Sequence, residues 1–266
     1  MGVLDEIIAA VRVDLAERER TVRLSELRAR IDAIPPARPV LDGFRSPEVS
    51  VIAEVKRASP SKGALAAIER PADLAAEYEA GGASAISVLT ERHRFNGSLD
   101  DLDAVRERVD VAILRKDFMV TEYQLVESRA HGADLCLLIV AALNDTSLRT
   151  LYRTALDLGL TPLVEVHTPE ETRRAVDLGA ELIGVNNRNL QTLEVSIDRF
   201  GVMADLIPDT TVKVAESGLR GPEDVALVHG QGANVVLVGE ALVRHGNPRS
   251  AVEAMRAAAR PRAQAS

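Results

Sequence analysis

The sequence predicts an α/β fold, a (β/α)8 barrel preceded by an N-terminal helical extension. Eight short β-branched runs alternate with Ala- and Leu-rich stretches of helical periodicity. The runs are almost wholly apolar, as strands buried on both faces must be. Eight βα units within roughly 220 residues is the arithmetic of this barrel. A doubly wound open sheet, the alternative, calls for a G-x-G-x-x-G fingerprint after the first strand, and the sequence has none.

The extension spans residues 1–45. Val3, Leu4, Ile7, Ile8, Val11 and Leu15 recur at helical spacing, the pattern loosens near Arg20, and it resumes at Leu24, Leu27 and Ile31. Ile34-Pro35-Pro36-Ala37-Arg38-Pro39 then breaks any helix. The barrel is expected over 46–257. Its strands are predicted at 49–55, 84–90, 111–116, 133–140, 161–166, 181–185, 211–216 and 234–239. Many of the intervening stretches end in Gly-Ala or Gly-Leu, a helix C-cap followed by strand entry. Residues 258–266 read as a frayed tail.

Composition narrows the function. The chain has 266 residues, 40 of them acidic and 32 basic, for a net charge of −8. That balance argues against nucleic acid as the main partner, because phosphate neutralisation needs a basic surface. Aromatic residues are 3% with no Trp, a poor basis for stacking on bases. The lone Cys136 excludes an internal disulfide and reads as a buried thiol in the run ADLCLLIV. Charges spread through the first 20 residues exclude a secretory signal, and no apolar run approaches the roughly 20 residues of a membrane span. A cytoplasmic protein with no membrane partner is expected. His93 and His167 follow strand ends, whereas His131, His229 and His245 fall in helices or their tails. Without H-E-x-x-H or H-x-x-E-H spacing, no metal site is expected.

Barrel enzymes place their chemistry at the C-terminal ends of strands. Here the runs end in Glu54 and Lys56, Glu91, Lys116, Glu165, Asn186 with Asn187 and Arg188, Glu216 with Ser217, and Gly239 with Glu240; only the fourth ends in apolar residues. Residues at i and i+2 point the same way from a strand. Glu54 with Lys56, Lys116 with Phe118 and Asn186 with Arg188 therefore converge over one mouth if the even member faces inward. The fifth run joins them if Glu165 follows Leu163 inward. Salt bridges sealing a barrel end are the alternative, but burying so many charges together is costly without a ligand. Glu216-Ser217-Gly218 and Gly239-Glu240-Ala241 end the last two strands, where this fold commonly binds phosphate. The loop Ser59-Pro60-Ser61-Lys62-Gly63 offers further donors. A phosphorylated small-molecule substrate follows.

The segments VIAEVKRASPSKG (51–63), SVLTE and RFNGS (87–98), LRKDF (114–118), LVEVH (163–167), GVNNRNL (184–190), AESGL (215–219) and VGEAL (238–242) resemble the indole-3-glycerol-phosphate synthase family of tryptophan biosynthesis. The resemblance implies a TIM-type barrel, and a monofunctional, monomeric form rather than a fusion with phosphoribosylanthranilate isomerase. It also implies a cofactor-free carboxy-lyase that converts 1-(2-carboxyphenylamino)-1-deoxyribulose 5-phosphate into indole-3-glycerol phosphate, CO2 and water. By the same resemblance Lys116 is the acid at the attacked carbonyl and Glu165 the base of the dehydration, with Glu54 as partner. Lys56 and Arg188 meet the substrate carboxylate, with the phosphate or a second acid role as alternatives for Lys56. Asn186 and Glu216 orient hydroxyls and catalytic side chains. Phe95 and Phe118 flank the anthranilate ring, and Ser59, Ser217, Gly218, Gly239 and Glu240 hold the phosphate. Other phosphate barrels fit less well. An epimerase would want His and Asp ligands at strand ends, and phosphoribosylanthranilate isomerase would want a catalytic Cys where Cys136 lies mid-run. A non-catalytic sugar-phosphate binder would have no reason to keep Lys116 and Glu165.

Overall fold

A computed structural model describes residues 2–59, 63–64, 68–189, 194–244 and 246–258. The strands are β1 (Ser50–Val55), β2 (Ala58–Ser59), β3 (Gly63–Ala64), β4 (Ala85–Leu89), β5 (Ala112–Lys116), β6 (Leu135–Ile139), β7 (Thr161–Val166), β8 (Leu182–Asn186), β9 (Val212–Glu216) and β10 (Val235–Val238). β1 and β4 to β10 form a closed parallel barrel in which β1 pairs with both β4 and β10. Each barrel strand coincides with a predicted run, within two residues at either end. The antiparallel pair β2–β3 is an addition that the sequence pattern did not announce.

Alternation along each strand builds two apolar layers. Ile52, Leu114, Leu163 and Val214 pack inside the barrel, and Val51, Ile113, Val164 and Ala215 pack outward against the helices. Burying each large apolar side chain is worth about 1.5–3 kcal/mol, so a strand slipped by one residue would lose both layers. Cys136 belongs to the outer layer, and burial pushes its thiol up to about 12.

The helices are α1 (Val3–Thr21), α2 (Leu24–Ile31), α3 (Leu41–Phe44), α4 (Pro71–Ala80), α5 (Arg92–Phe95), α6 (Leu99–Arg108), α7 (Glu122–Ala130), α8 (Asp145–Asp157), α9 (Pro169–Leu178), α10 (Arg199–Ala204), α11 (Pro222–Gly230), α12 (Glu240–Val243) and α13 (Pro248–Ala257). The expected punctuation is present. Thr168 caps α9 through the Glu171 amide, Pro169 opens the helix, and Gly179 closes it at φ 81° before Ala180.

The extension buries Ile7, Val11 and Leu15, one stripe of α1, and leaves Val13 in solvent. Its return toward β1 is pinned at Asp134. That buried carboxylate accepts the Arg38 amide at 2.7 Å, the Ile113 amide at 2.9 Å and Arg106 Nη1 at 3.0 Å. No helix among the described residues is long and apolar enough to cross a membrane.

Candidate active site

The strand period carries the polar residues into the barrel. Glu54, Lys116, Glu165 and Glu216 each follow an inward apolar residue by two positions, so they continue the same inner face at the C-terminal end. Asn186 follows Gly184 in the same way, and the absence of a side chain there leaves room for Glu216: a Cβ on Gly184 would sit 2.1 Å from Glu216 Oε1 and displace it. Salt bridges join these side chains, as the alternative supposed, but they do so on the wall of an open cavity of about 760 Å³.

Lys116 is the hub. Its Nζ donates to Glu165 Oε2 at 2.9 Å and lies 3.4 Å from Glu216 Oε2. Glu165 Oε1 accepts from Asn186 Nδ2 at 3.2 Å and lies 3.1 Å from His167 Nε2. Lys56 pairs with Glu54 at the end of β1. Burial alone would drive Lys116 toward neutrality, but Glu165, Glu216 and Glu54 outweigh it and hold the ammonium above the usual lysine value. Burial likewise opposes charge on Glu165, yet Lys116 and His167 hold that carboxyl well below the usual carboxylate range. Glu216 goes the other way. Burial, with the adjacent Glu165 and Glu54 charges, lifts it to about 8 against the pull of Lys116. Two carboxyls beside one ammonium thus divide into an ionised and a protonated member at neutral pH.

The walls complete the cavity. Phe95 and Phe118 line it with ring centroids 6.2 Å apart and planes tilted by 41°. Across the mouth, Ser217 and Gly218 both have positive φ, at 63° and 81°, and Gly239 leads into α12. Asn187 steadies this turn, its Nδ2 donating to the Ser217 carbonyl at 3.2 Å. Arg188 and Glu240 also line the cavity, and Glu240 accepts from Arg244 at 2.6 Å. Most of the predicted mouth is therefore brought together, but Glu91 does not line this cavity. The Ser59 side chain and Lys62 lie outside the described residues, as does His245.

Several contributors escaped sequence reasoning. Val3, Leu4 and Ile7 of α1 form part of the cavity wall, as do Arg220 and Arg244. Arg115, adjacent to Lys116, points the other way and is fully buried. It donates to Glu127 at 2.9 Å, Thr90 at 3.0 Å and Asp117 at 3.0 Å. Asp117 in turn accepts the Phe118 amide at 2.8 Å, which fixes the start of the loop carrying that ring. Glu91 accepts the amides of His93, Arg94 and Phe95 and holds the α5 turn. No cluster of three or more His, Cys, Asp or Glu arranged to hold a metal occurs among the described residues.

Residues 4–255 match the family model described as indole-3-glycerol phosphate synthase. An indole-3-glycerol phosphate synthase from Nocardioides sp. is 61% identical over 255 residues, covering 96% of this chain and 98% of the relative. One from Streptomyces coelicolor is 59% identical, covering 97% and 96%. Among solved structures, a 3-hexulose-6-phosphate synthase from Salmonella typhimurium superposes with a TM-score of 0.64 at 15% identity, over 79% of this chain and 98% of the other. That likeness concerns the fold alone.

Proposed function

The chain belongs to the indole-3-glycerol phosphate synthase family, and from that premise we propose how the residues of the barrel mouth divide the work. The family activity is a carboxy-lyase step of tryptophan biosynthesis on a small phosphorylated substrate. The anthranilate ring carbon that bears the carboxylate attacks the ketose carbonyl of 1-(2-carboxyphenylamino)-1-deoxyribulose 5-phosphate. CO2 leaves, then water, and indole-3-glycerol phosphate remains.

The observation that carries the assignment is the contact of Lys116 with Glu165, 2.9 Å apart at the mouth. Attack on the carbonyl builds negative charge on oxygen, and Lys116, held as ammonium, donates the proton there. Loss of CO2 restores the ring. Dehydration then needs an acid for the departing hydroxyl and a base for the amine proton. Glu165 is that base, held ionised, with Glu54 as its partner in the step. Lys56 and Arg188 face the substrate carboxylate, with the phosphate or a second acid step as alternatives for Lys56. Asn186 orients Glu165, and Glu216, largely protonated at neutral pH, hydrogen-bonds a sugar hydroxyl. The phosphate sits at Ser217, Gly218, Gly239 and Glu240, with Ser59 as a further donor, and Phe95 and Phe118 grip the ring. The enzyme acts as a cytoplasmic monomer in this reading; the compartment rests on a single buried thiol suited to reducing conditions, and the monomer on the family resemblance alone.

The test is E165Q, assayed by the fluorescence of the indole product. Loss of the base lowers kcat by about 10²–10⁴ and leaves KM near wild type. Retained kcat with weakened binding would remove Glu165 from the chemistry.

A further inference from the structure

His167 stands one residue beyond β7, buried, and the reaction scheme gives it no task. Its ring lies between two carboxylates. Nε2 is 3.1 Å from Glu165 Oε1, an ion-pair contact lying off the axis of a directed hydrogen bond. Nδ1 is 3.1 Å from Glu171 Oε2, which also accepts the His167 amide at 2.7 Å. Glu171 is itself placed by the first turn of α9, where Thr168 caps its amide. A neutral imidazole carries one N–H and would turn a bare lone pair toward one of these carboxylates. Only the imidazolium suits both.

We infer that His167 is a positioning residue for the reaction, an imidazolium anchored by Glu171 that holds the Glu165 carboxylate in place and ionised. The inference deepens the assignment of Glu165 as base and rests on it. The need arises from the Lys116–Glu165 contact. An ammonium touching a carboxylate in a buried site can pass its proton across and leave a neutral pair with the roles exchanged, Lys116 no longer the donor and Glu165 no longer the base. Once Lys116 has donated to substrate, moreover, Glu165 loses its nearest positive charge. A cation on the opposite oxygen, with Asn186 beside it, opposes both losses.

The titratable groups facing the ring are Glu165 from β7 and Glu171 from α9; Lys116 from β5 and Glu216 from β9 act on it through Glu165. Burial opposes charge on the ring, but the two carboxylates raise it to about 9. The imidazolium thus persists through neutral pH and is lost as pH rises through about 9.

The experiment compares wild type, H167Q, E171Q and E165Q as full-length enzymes. kcat and KM are measured from about pH 5 to about pH 10, with NMR of 15N-histidine-labelled protein alongside. H167Q keeps a side-chain N–H but no charge; its kcat falls about tenfold to hundredfold, as expected for a lost charge-assisted contact, with KM little changed. Its acid limb moves to higher pH, because Glu165 protonates more readily. E171Q keeps the ring, and its His167 titrates at lower pH than wild type, drawing the alkaline limb of kcat down with it. That movement separates His167 from Glu216, which E171Q does not touch. A His167 ring that is neutral near pH 7 in wild type, or limbs unmoved in both variants, overturns the inference. If H167Q does not fold, the E171Q profile and the spectra decide alone. E165Q with full kcat would refute the base assignment itself. An inactive E165Q beside unaltered H167Q and E171Q would refute only the part given to His167.

Discussion

Replacing Lys116 by Met is the most direct probe of the proposed chemistry. Methionine fills much of the same volume but removes both the proton and the charge. Two effects compete in setting the size of the loss. The first is the missing acid, worth about 10²–10⁴ in rate. The second is electrostatic. Lys116 Nζ is 2.9 Å from one carboxylate and 3.4 Å from another, with only 14% of its side chain exposed. A unit pair at about 4 Å is worth about 4 kcal/mol at an effective dielectric near 20, which is about a thousandfold in the balance between ionised and protonated Glu165. Glu165 has reserve against this second effect, because Asn186 and His167 still hold its other oxygen. The base therefore stays ionised near neutral pH, and the missing acid dominates. kcat in K116M falls by about 10²–10⁴, and the acid limb of its pH profile moves upward. K116R separates the two effects. Arginine restores the charge but does not give up a proton near neutral pH, so the limb returns while kcat stays low. The assay is continuous fluorescence of indole-3-glycerol phosphate formation. K116M with near-normal kcat, or K116R with full kcat, would refute the reasoning.

Two further predictions concern stability. Glu216 has a folded pKa of about 8 against an ordinary value of 4.5. Its protonated form therefore stabilises the fold fully below about 4.5, and that contribution is lost as pH rises through about 8. In E216Q, which cannot ionise, Tm should gain on wild type steadily between those values; a constant difference across the range would contradict the assignment. Asp134 is buried and accepts from Arg106 and two backbone amides. D134A strands these donors and should cost about 3–5 kcal/mol in urea unfolding, with kcat of the folded enzyme unchanged. A loss below about 1 kcal/mol would mean that the extension is held elsewhere.

The barrel was legible because its two signals are independent: apolar runs of strand length, and glycine caps at the linker ends. The mouth was legible in part because strand period groups residues by face, Glu54 with Lys56, Lys116 with Phe118 and Asn186 with Arg188, while which face points inward stayed conditional until the packing put Ile52, Leu114, Leu163 and Val214 inside. What escaped depends on distance in three dimensions. The stripe Val3, Leu4, Ile7 is plain as a helix face, but nothing local says that it lands on the cavity wall. His167 reads as a loop residue until α9 swings Glu171 back against it, a geometry made by a strand-to-helix turn and invisible to either periodicity. Arg220 and Arg244 lie beyond strand ends, where period no longer predicts direction.

The adjacent cations Arg115 and Lys116 show how residue chemistry resolves what pattern leaves open. Both end β5, both are basic, and a one-residue slip would exchange them. Their surroundings differ in what they ask. Arg115 meets Glu127, Asp117 and Thr90 at once in a fully buried pocket, and the planar guanidinium supplies several N–H donors in fixed directions while never losing its charge. It can hold the Asp117 carboxylate that in turn fixes Phe118 through every step of turnover. Lys116 meets carboxylates too, but from the cavity wall, where the proposed chemistry needs a proton to leave and return. An arginine there would be permanently charged, and a lysine outside the barrel would lack the planar fork that reaches Glu127, Asp117 and Thr90 together. The order Arg-Lys along β5 therefore places fixed charge in the outer wall and transferable charge in the mouth. The −8 of the whole chain hides this local arrangement, since acidic residues elsewhere outnumber the few cations that line the cavity.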